Sequence, residues 1–161
     1  MYALLIDDDA GIATSLSRAA GLAGLELVTA ANWEDGLAKF QVHAPKLVIA
    51  DYNLPGSAHG LLLLAEIRRL TPTVRLILLS AYIDEKDVTE IEAVGLVDRA
   101  IPKLGSDTTE LLLAEIADAK ARSEVRTDWA KYAQSRRGAR AVDQTNVEAL
   151  DARLKKARGI K

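Results

Sequence analysis

Three consecutive carboxylates, Asp7, Asp8 and Asp9, follow a short apolar run in "MYALLIDDDAGI". Like charges placed side by side repel and raise one another's pKa, so such a cluster either lies on a solvated turn or surrounds something positive. A fourth carboxylate, Asp51, ends the apolar run "KLVIA", Ser80 ends "VRLILLS", and Lys103 closely follows "VDRAI". Were these run ends to meet, several carboxylates would share one crevice. Hard divalent cations are bound by oxygen ligands of this kind, and such an ion would relieve the repulsion.

The elements that must bring the groups together are legible in the periodicity. "YALLI", "LELVTA", "KLVIA", "VRLILLS" and "VDRAI" are short and rich in Val, Ile and Leu, as strands buried on both faces are. Helical spacing fills the gaps: Ile12, Leu16 and Ala19 before Gly21 and Gly24, then "WEDGLAKFQV", "GLLLLAEIRRL", "DEKDVTEIEAV" and "SDTTELLLAEIADAKA". In the last of these, Asp107 and Glu110 have capping-box spacing. Five strands alternating with five helices predict an α/β fold: a doubly wound, five-stranded parallel sheet with helices on both faces. Open parallel sheets bind ligands beyond the carboxyl ends of their strands, where the strand order reverses. With the order 2-1-3-4-5, Asp7, Asp8 and Asp51 converge at that point.

Composition bounds the rest. The chain has 161 residues, 49% of them hydrophobic, and no cysteine, which suits one domain with a real core and an appendage and excludes disulfide frameworks and thiolate metal sites. Residues 1–122 carry 18 acidic against 11 basic side chains, whereas residues 123–161 carry 5 against 10. This reversal of charge places a boundary near Ser123, between a domain over 1–122 and a basic helical extension over 123–161. No basic leader precedes the first apolar run, and the acids cut that run well short of the ~18 apolar residues of a membrane span, so a soluble, cytoplasmic protein is expected.

Residues 1–122 resemble the receiver domain of two-component response regulators, through "LLIDDDAG", "LVIADYNLPG", "LILLSAY" and "RAIPKL" in order. A member of that family is the standard example of the 2-1-3-4-5 strand order. The resemblance implies a phosphoacceptor rather than a turnover enzyme. Asp51 would take a phosphoryl group from a phosphohistidine of a sensor histidine kinase or phosphotransfer protein. Asp7, Asp8, the side chain of Asp51 and the backbone carbonyl of Asn53 would hold Mg²⁺. Lys103 and Ser80 would contact phosphoryl oxygens, and the small Ala81 would leave the site open. Asp9 is read as a helix-start acid. The sequence departs from the family pattern in several places. Ala100 stands where receivers carry a switching aromatic, Pro102 precedes the lysine instead of following it, and the loop "PGSAHG" is one residue longer than the commonest form. Tyr82 lies where the family tunes dephosphorylation, and a bulky ring there implies a long-lived phosphoaspartate and a substitute route for the switch.

A rival reading takes "IDDDAG" as the start of a haloacid-dehalogenase-like phosphatase, with Asp7 the nucleophile and Asp9 the general acid. It lacks an acidic pair after a later strand and leaves "DYNLPG" unused. His43 and His59 have no partners at metal-ligand spacing and are expected in solvated positions, and Trp33 and Phe40 at i, i+7 are expected as one packed stripe. In the extension, Val125, Trp129 and Tyr132 continue the fifth helix's spacing to Gly138. Val147, Leu150, Leu154 and Ala157 then form a second seam that ends in Lys155, Lys156, Arg158 and Lys161. Such a helix must pack on the receiver, on its own tail or on a second subunit as a homodimer. No helix-turn-helix spacing is present, and a charge run is normally a solvated face. Output through protein contacts is therefore expected over nucleic acid, the alternative being a DNA-binding transcription regulator that lacks a full output domain.

Overall fold

The computed structural model describes residues 2–56, 59–105, 107–124 and 144–158. Strands β1 (Tyr2–Ile6), β2 (Glu26–Ala30), β3 (Leu47–Asp51), β4 (Arg75–Ser80) and β5 (Arg99–Pro102) alternate with helices α1 (Ala10–Leu22), α2 (Trp33–His43), α3 (Gly60–Leu70), α4 (Glu85–Ala93) and α5 (Thr108–Glu124). A further helix, α6 (Gln144–Arg158), follows. All strand pairs are parallel, in the order β2-β1-β3-β4-β5. The expected fold and strand order are both present.

Strand alternation divides the core in two. Leu4, Ile6, Val48, Ala50, Leu76 and Leu78 face α2, α3 and α4, while Ala3, Leu5, Leu47, Ile49, Ile77 and Leu79 face α1 and α5. Both sets are buried, which is why the strands read as unbroken apolar runs. Trp33 and Phe40 pack together into the first core, as the i, i+7 spacing predicts.

Local chemistry moves some boundaries. Helix α1 runs through Gly21 to Leu22 and buries Leu16 and Ala20, so its inward face lies one residue past the expected Ala19. Strand β5 starts at Arg99 rather than Val97. The Asp98 amide still donates to the Leu76 carbonyl at 2.8 Å, but the Asp98 carboxylate takes the Leu76 amide at 2.8 Å and the buried Arg68 guanidinium at 2.8 Å, so one ladder donor goes to a side chain there. Pro102 is tolerated because β5 is an edge strand and Pro102 is its last residue.

Helix α6 packs on the receiver. Val147, Leu150 and Leu154 are buried in the α2–α3–α4 core, and α6 lies against α3. Of the three coverings open to this seam, the chain's own domain supplies the one observed. Val125, Trp129, Tyr132, Gly138 and Lys161, and the side chain of Ala157, lie outside the described residues.

Gly60 opens α3 where the chain folds back on β3. A Cβ there would stand 1.8 Å from the Asp51 carbonyl oxygen. Gly60→Ala is therefore expected to cost about 2–4 kcal/mol in urea unfolding, a backbone collision that side-chain repacking cannot relieve. Gly21, inside α1 with nothing within 4 Å of its added Cβ, is the control. Gly21→Ala should stabilise by about 0.5–1 kcal/mol.

Candidate functional site

The pairing of β1 with β3 sets Ile6 opposite Ala50, so the next residues, Asp7 and Asp51, leave the sheet side by side. Both are buried, at 3% and 5% exposure, and Asp8 is exposed beside them. One carboxylate oxygen from each of Asp7, Asp8 and Asp51 lies within 4.8 Å of the others. Those three expected residues are thus brought together.

Lys103 enters the same space from the loop after β5. Its Nζ donates to Asp7 Oδ1 at 2.9 Å and to Asp51 Oδ2 at 3.1 Å. The loop around it is built tightly despite the Pro102–Lys103 order. The Lys103 amide donates to the Ser80 carbonyl at 2.7 Å, and the Thr108 hydroxyl lies within 2.8 Å of the Pro102 carbonyl and 2.9 Å of the Gly105 carbonyl. Thr108 thereby holds the Lys103 turn at both ends. A threonine at a helix start has many commoner uses, so nothing in the sequence singles it out for this role.

Burial, the largest influence, pushes the Asp51 carboxyl up; Lys103 opposes this, and the neighbouring Asp7 charge adds to it. The Asn53 amide N–H also donates to the Asp51 carboxylate and favours its charged form. Desolvation works to lower the pKa of Lys103, but hydrogen bonds and charge from Asp7 and Asp51 outweigh it and raise it, so the lysine stays cationic. One lysine cannot balance three ionised carboxylates. Asp7 Oδ2 is buried and has no hydrogen bond among the described residues, although Lys103 Nζ lies 2.9 Å away. A buried carboxylate oxygen with no described hydrogen bond, in a group of three carboxylates whose oxygens lie within 4.8 Å of one another, fits a hard divalent cation.

The remaining expected residues rim this group. Asp9 caps α1, its Oδ1 accepting from Gly11 N at 2.8 Å and Ile12 N at 3.2 Å, as the helix-start reading requires. That commitment leaves it poorly placed to be the general acid of the phosphatase reading. Ser80 is fully buried at the end of β4, its Oγ accepting the Tyr82 amide at 3.2 Å, with no acceptor for its O–H among the described residues. Tyr82 and Leu104 are exposed at the rim, at 57% and 82%, and Ala81 lies between Ser80 and Tyr82. Ala100 is buried in the α4 side of the core, its amide bonded to the Glu92 carboxylate at 3.0 Å.

The expectation for His59 fails. Instead of a solvated position, its ring stacks on buried Tyr52 with centroids 5.2 Å apart and 7° between planes. His43 ends α2 in contact with Tyr2, 5.4 Å between centroids. A surface cavity of about 310 Å³ lies at the opposite end of the sheet, lined by Phe40, Lys46, Leu70, Thr71 and Val74 among others. No carboxylate is among the residues that line it.

Residues 3–115 match the response regulator receiver domain, and the chain belongs to that family. It is 32% identical over 113 residues to the DNA-binding transcriptional regulator NtrC of Salmonella typhimurium, a match covering 60% of this chain but about a quarter, 24%, of that protein. The fold matches a response regulator receiver domain protein from Clostridium thermocellum at 25% identity and TM-score 0.65, covering 77% of this chain and 97% of that one. It likewise matches the receiver domain of NtrX from Brucella abortus at 26% and 0.61, covering 72% and 98%.

The raised pKa of Asp51 has a stability consequence whose sign is fixed. A carboxyl whose folded pKa exceeds its unfolded value adds stability below the unfolded value and loses it as pH rises through the folded one. Asn mimics the protonated form. In metal-free buffer Asp51→Asn should therefore melt above wild type at pH 7, with the gap closing below about pH 4. A variant less stable than wild type at pH 7 contradicts the site's charge balance.

Proposed function

We propose that this receiver accepts a phosphoryl group on Asp51 from a phosphohistidine of a sensor histidine kinase or phosphotransfer protein, with Mg²⁺ held by Asp7, Asp8, Asp51 and the backbone carbonyl of Asn53. The observation that carries the reading is the convergence of three carboxylates and Lys103 at the carboxyl ends of β1, β3 and β5. Phosphoryl transfer needs little covalent chemistry from the protein and much positioning and charge neutralisation, and these groups are of the types that supply both. When bound, the metal would neutralise charge on the phosphoryl oxygens and align them with the acceptor.

An Asp51 carboxylate oxygen attacks phosphorus, the P–N bond to the donor histidine breaks, and the electron pair returns to the imidazole ring, which takes up a proton. Desolvation raises the pKa of Asp51, which makes its carboxylate a better nucleophile than a solvated one. Lys103, 3.1 Å from Asp51, is the cation within reach of a phosphoryl oxygen formed there. Ser80 can donate its O–H to another. The small Ala81 leaves room for the group, and Tyr82, exposed at the rim, restricts the approach of hydrolytic water.

We read the chain as a phosphoacceptor with its own autophosphorylation and autodephosphorylation chemistry rather than a turnover enzyme, since Asp51 is itself the group that is modified and then restored by hydrolysis. Among the described residues no helix is long and apolar enough to cross a membrane, and we place the relay in the cytoplasm. Residues 1–122 would constitute the receiver and 123–161 its helical extension, with output through a downstream protein. DNA binding by NtrC belongs to a protein of which this chain spans about a quarter, and it is not needed to explain the site.

Acetyl phosphate with Mg²⁺ should add one phosphoryl group per chain by intact mass, labile to hydroxylamine. Asp51→Asn should abolish it, and Lys103→Ala should slow it by about a hundredfold, the scale of losing one positioned charge partner. Label retained in Asp51→Asn, or mapped to Asp7, contradicts the assignment.

A further inference from the structure

Helix α6 meets the receiver at a residue one peptide bond from Asp51. Val147, Leu150 and Leu154, spaced by three and four, form its buried seam, with 0%, 7% and 1% exposure. Between the last two lies Asp151, itself only 5% exposed. The Tyr52 phenol donates to Asp151 Oδ1 at 2.7 Å, and Lys155 sits 2.8 Å from Oδ2. On the outer side Arg153 forms an ion pair with Glu90 of α4.

A buried carboxylate opposes docking unless both its oxygens are satisfied. Lys155 belongs to α6 and can travel with it, so among the described partners of Asp151 only the Tyr52 hydroxyl is lost on undocking. Tyr52 in turn has no freedom of its own. It is fully buried, its amide donates to Leu79 O at 2.7 Å, its carbonyl accepts from Gly60 N at 2.9 Å, and His59 stacks on its ring. Strand alternation explains the arrangement: Asp51 leaves β3 toward the acidic crevice, and the next residue must point to the opposite core, where α6 packs.

A helix of fifteen residues does not persist alone in water. Among its described contacts with the receiver are three apolar side chains and the Tyr52–Asp151 and Arg153–Glu90 ties, a set to which a displacement of Tyr52 matters.

We propose that the α3–α4 face, with the Tyr52 phenol in it, is a helix-binding surface whose resident ligand is α6, and that its occupancy is linked to the chemical state of Asp51 through Tyr52. The proposal rests on the phosphoacceptor reading. The docked arrangement is the one in which Lys103 bridges Asp7 and Asp51. A phosphoryl group on Asp51 inserts atoms into that bridge and shifts the backbone that begins at Tyr52, and the shift falls on the Asp151 bond. Phosphorylation thus weakens α6 docking. By linkage, undocking favours phosphorylation by the same factor.

The test uses the full chain. Tyr52→Phe keeps the ring, its burial and its stacking on His59 while removing one O–H. In the unmodified protein it should speed hydrogen exchange across 144–158 about tenfold, the effect of losing one hydrogen bond to a charged acceptor. Phosphorylation by acetyl phosphate and Mg²⁺ should likewise speed that exchange severalfold in wild type and much less in Tyr52→Phe. Arg153→Ala, which loosens α6 without touching Tyr52, should keep the phosphorylation-dependent response. Phosphorylated wild type with unchanged exchange over 144–158 overturns the linkage and leaves the phosphoacceptor reading intact. Equal responses in wild type and Tyr52→Phe remove Tyr52 from it. If Asp51 takes no phosphoryl group, the functional reading fails and the linkage with it, while the exchange change in unmodified Tyr52→Phe still reports whether the phenol holds α6.

Discussion

Two neighbouring parallel strands that end in buried carboxylates impose the constraint on which the rest of this molecule turns. Register fixes Ile6 against Ala50, so Asp7 and Asp51 cannot avoid one another, and Asp8 adds a third charge at the mouth. Burying such charges costs more than it returns unless they are paired. Lys103 pairs with two of them and leaves two negative charges unbalanced when all four groups are ionised. The surrounding structure holds this unfavourable group in place. Gly60 lets α3 close over the Asp51 carbonyl, and Thr108 fixes the turn that carries Lys103. Asp9 is drawn out of the cluster into the cap of α1. Mutual repulsion of this kind persists only where the surrounding contacts fix the groups in place.

The same alternation that aims Asp51 at the crevice aims Tyr52 at the other core. One strand end therefore serves two surfaces, the acidic site on one side and the seat of α6 on the other. This bears on how a receiver without the usual aromatic at position 100 could report its state. Ala100 is buried and small, and its amide is tied to Glu92 on α4, so no ring there can move. Tyr82, the substitute suggested by sequence, is largely exposed and has no described tie to α6. Tyr52 is connected to both places at once.

The sheet, its order and the acidic cluster were legible because they follow from short-range pattern. Runs buried on both faces announce parallel strands, and the carboxyl ends of such strands collect the functional groups. Asp7, Asp8, Asp51 and Lys103 all fall where that rule puts them. What was not legible depends on contacts between distant residues. The spacing of Val147, Leu150 and Leu154 shows that α6 has an apolar face but not which surface covers it. Tyr52 and Asp151 are 99 residues apart, and no periodicity joins them. The lack of metal-ligand spacing around His59 says nothing about stacking on a neighbouring ring, which only the folded chain reveals. The start of β5 shifted because a single carboxylate, Asp98, took over a ladder donor, a substitution that propensity does not register.

The proposed chemistry requires that the unbalanced charge at the ends of β1 and β3 be a cation site. Titration of Mg²⁺ into the ¹⁵N-labelled chain, followed by amide chemical shifts, reads this directly. The result expected is saturable binding with the largest shifts at Asp8, Asp9, Asp51 to Asn53 and Lys103, and none of comparable size around the cavity at the opposite end of the sheet. Shifts that do not saturate, or that centre away from these strand ends, would contradict it.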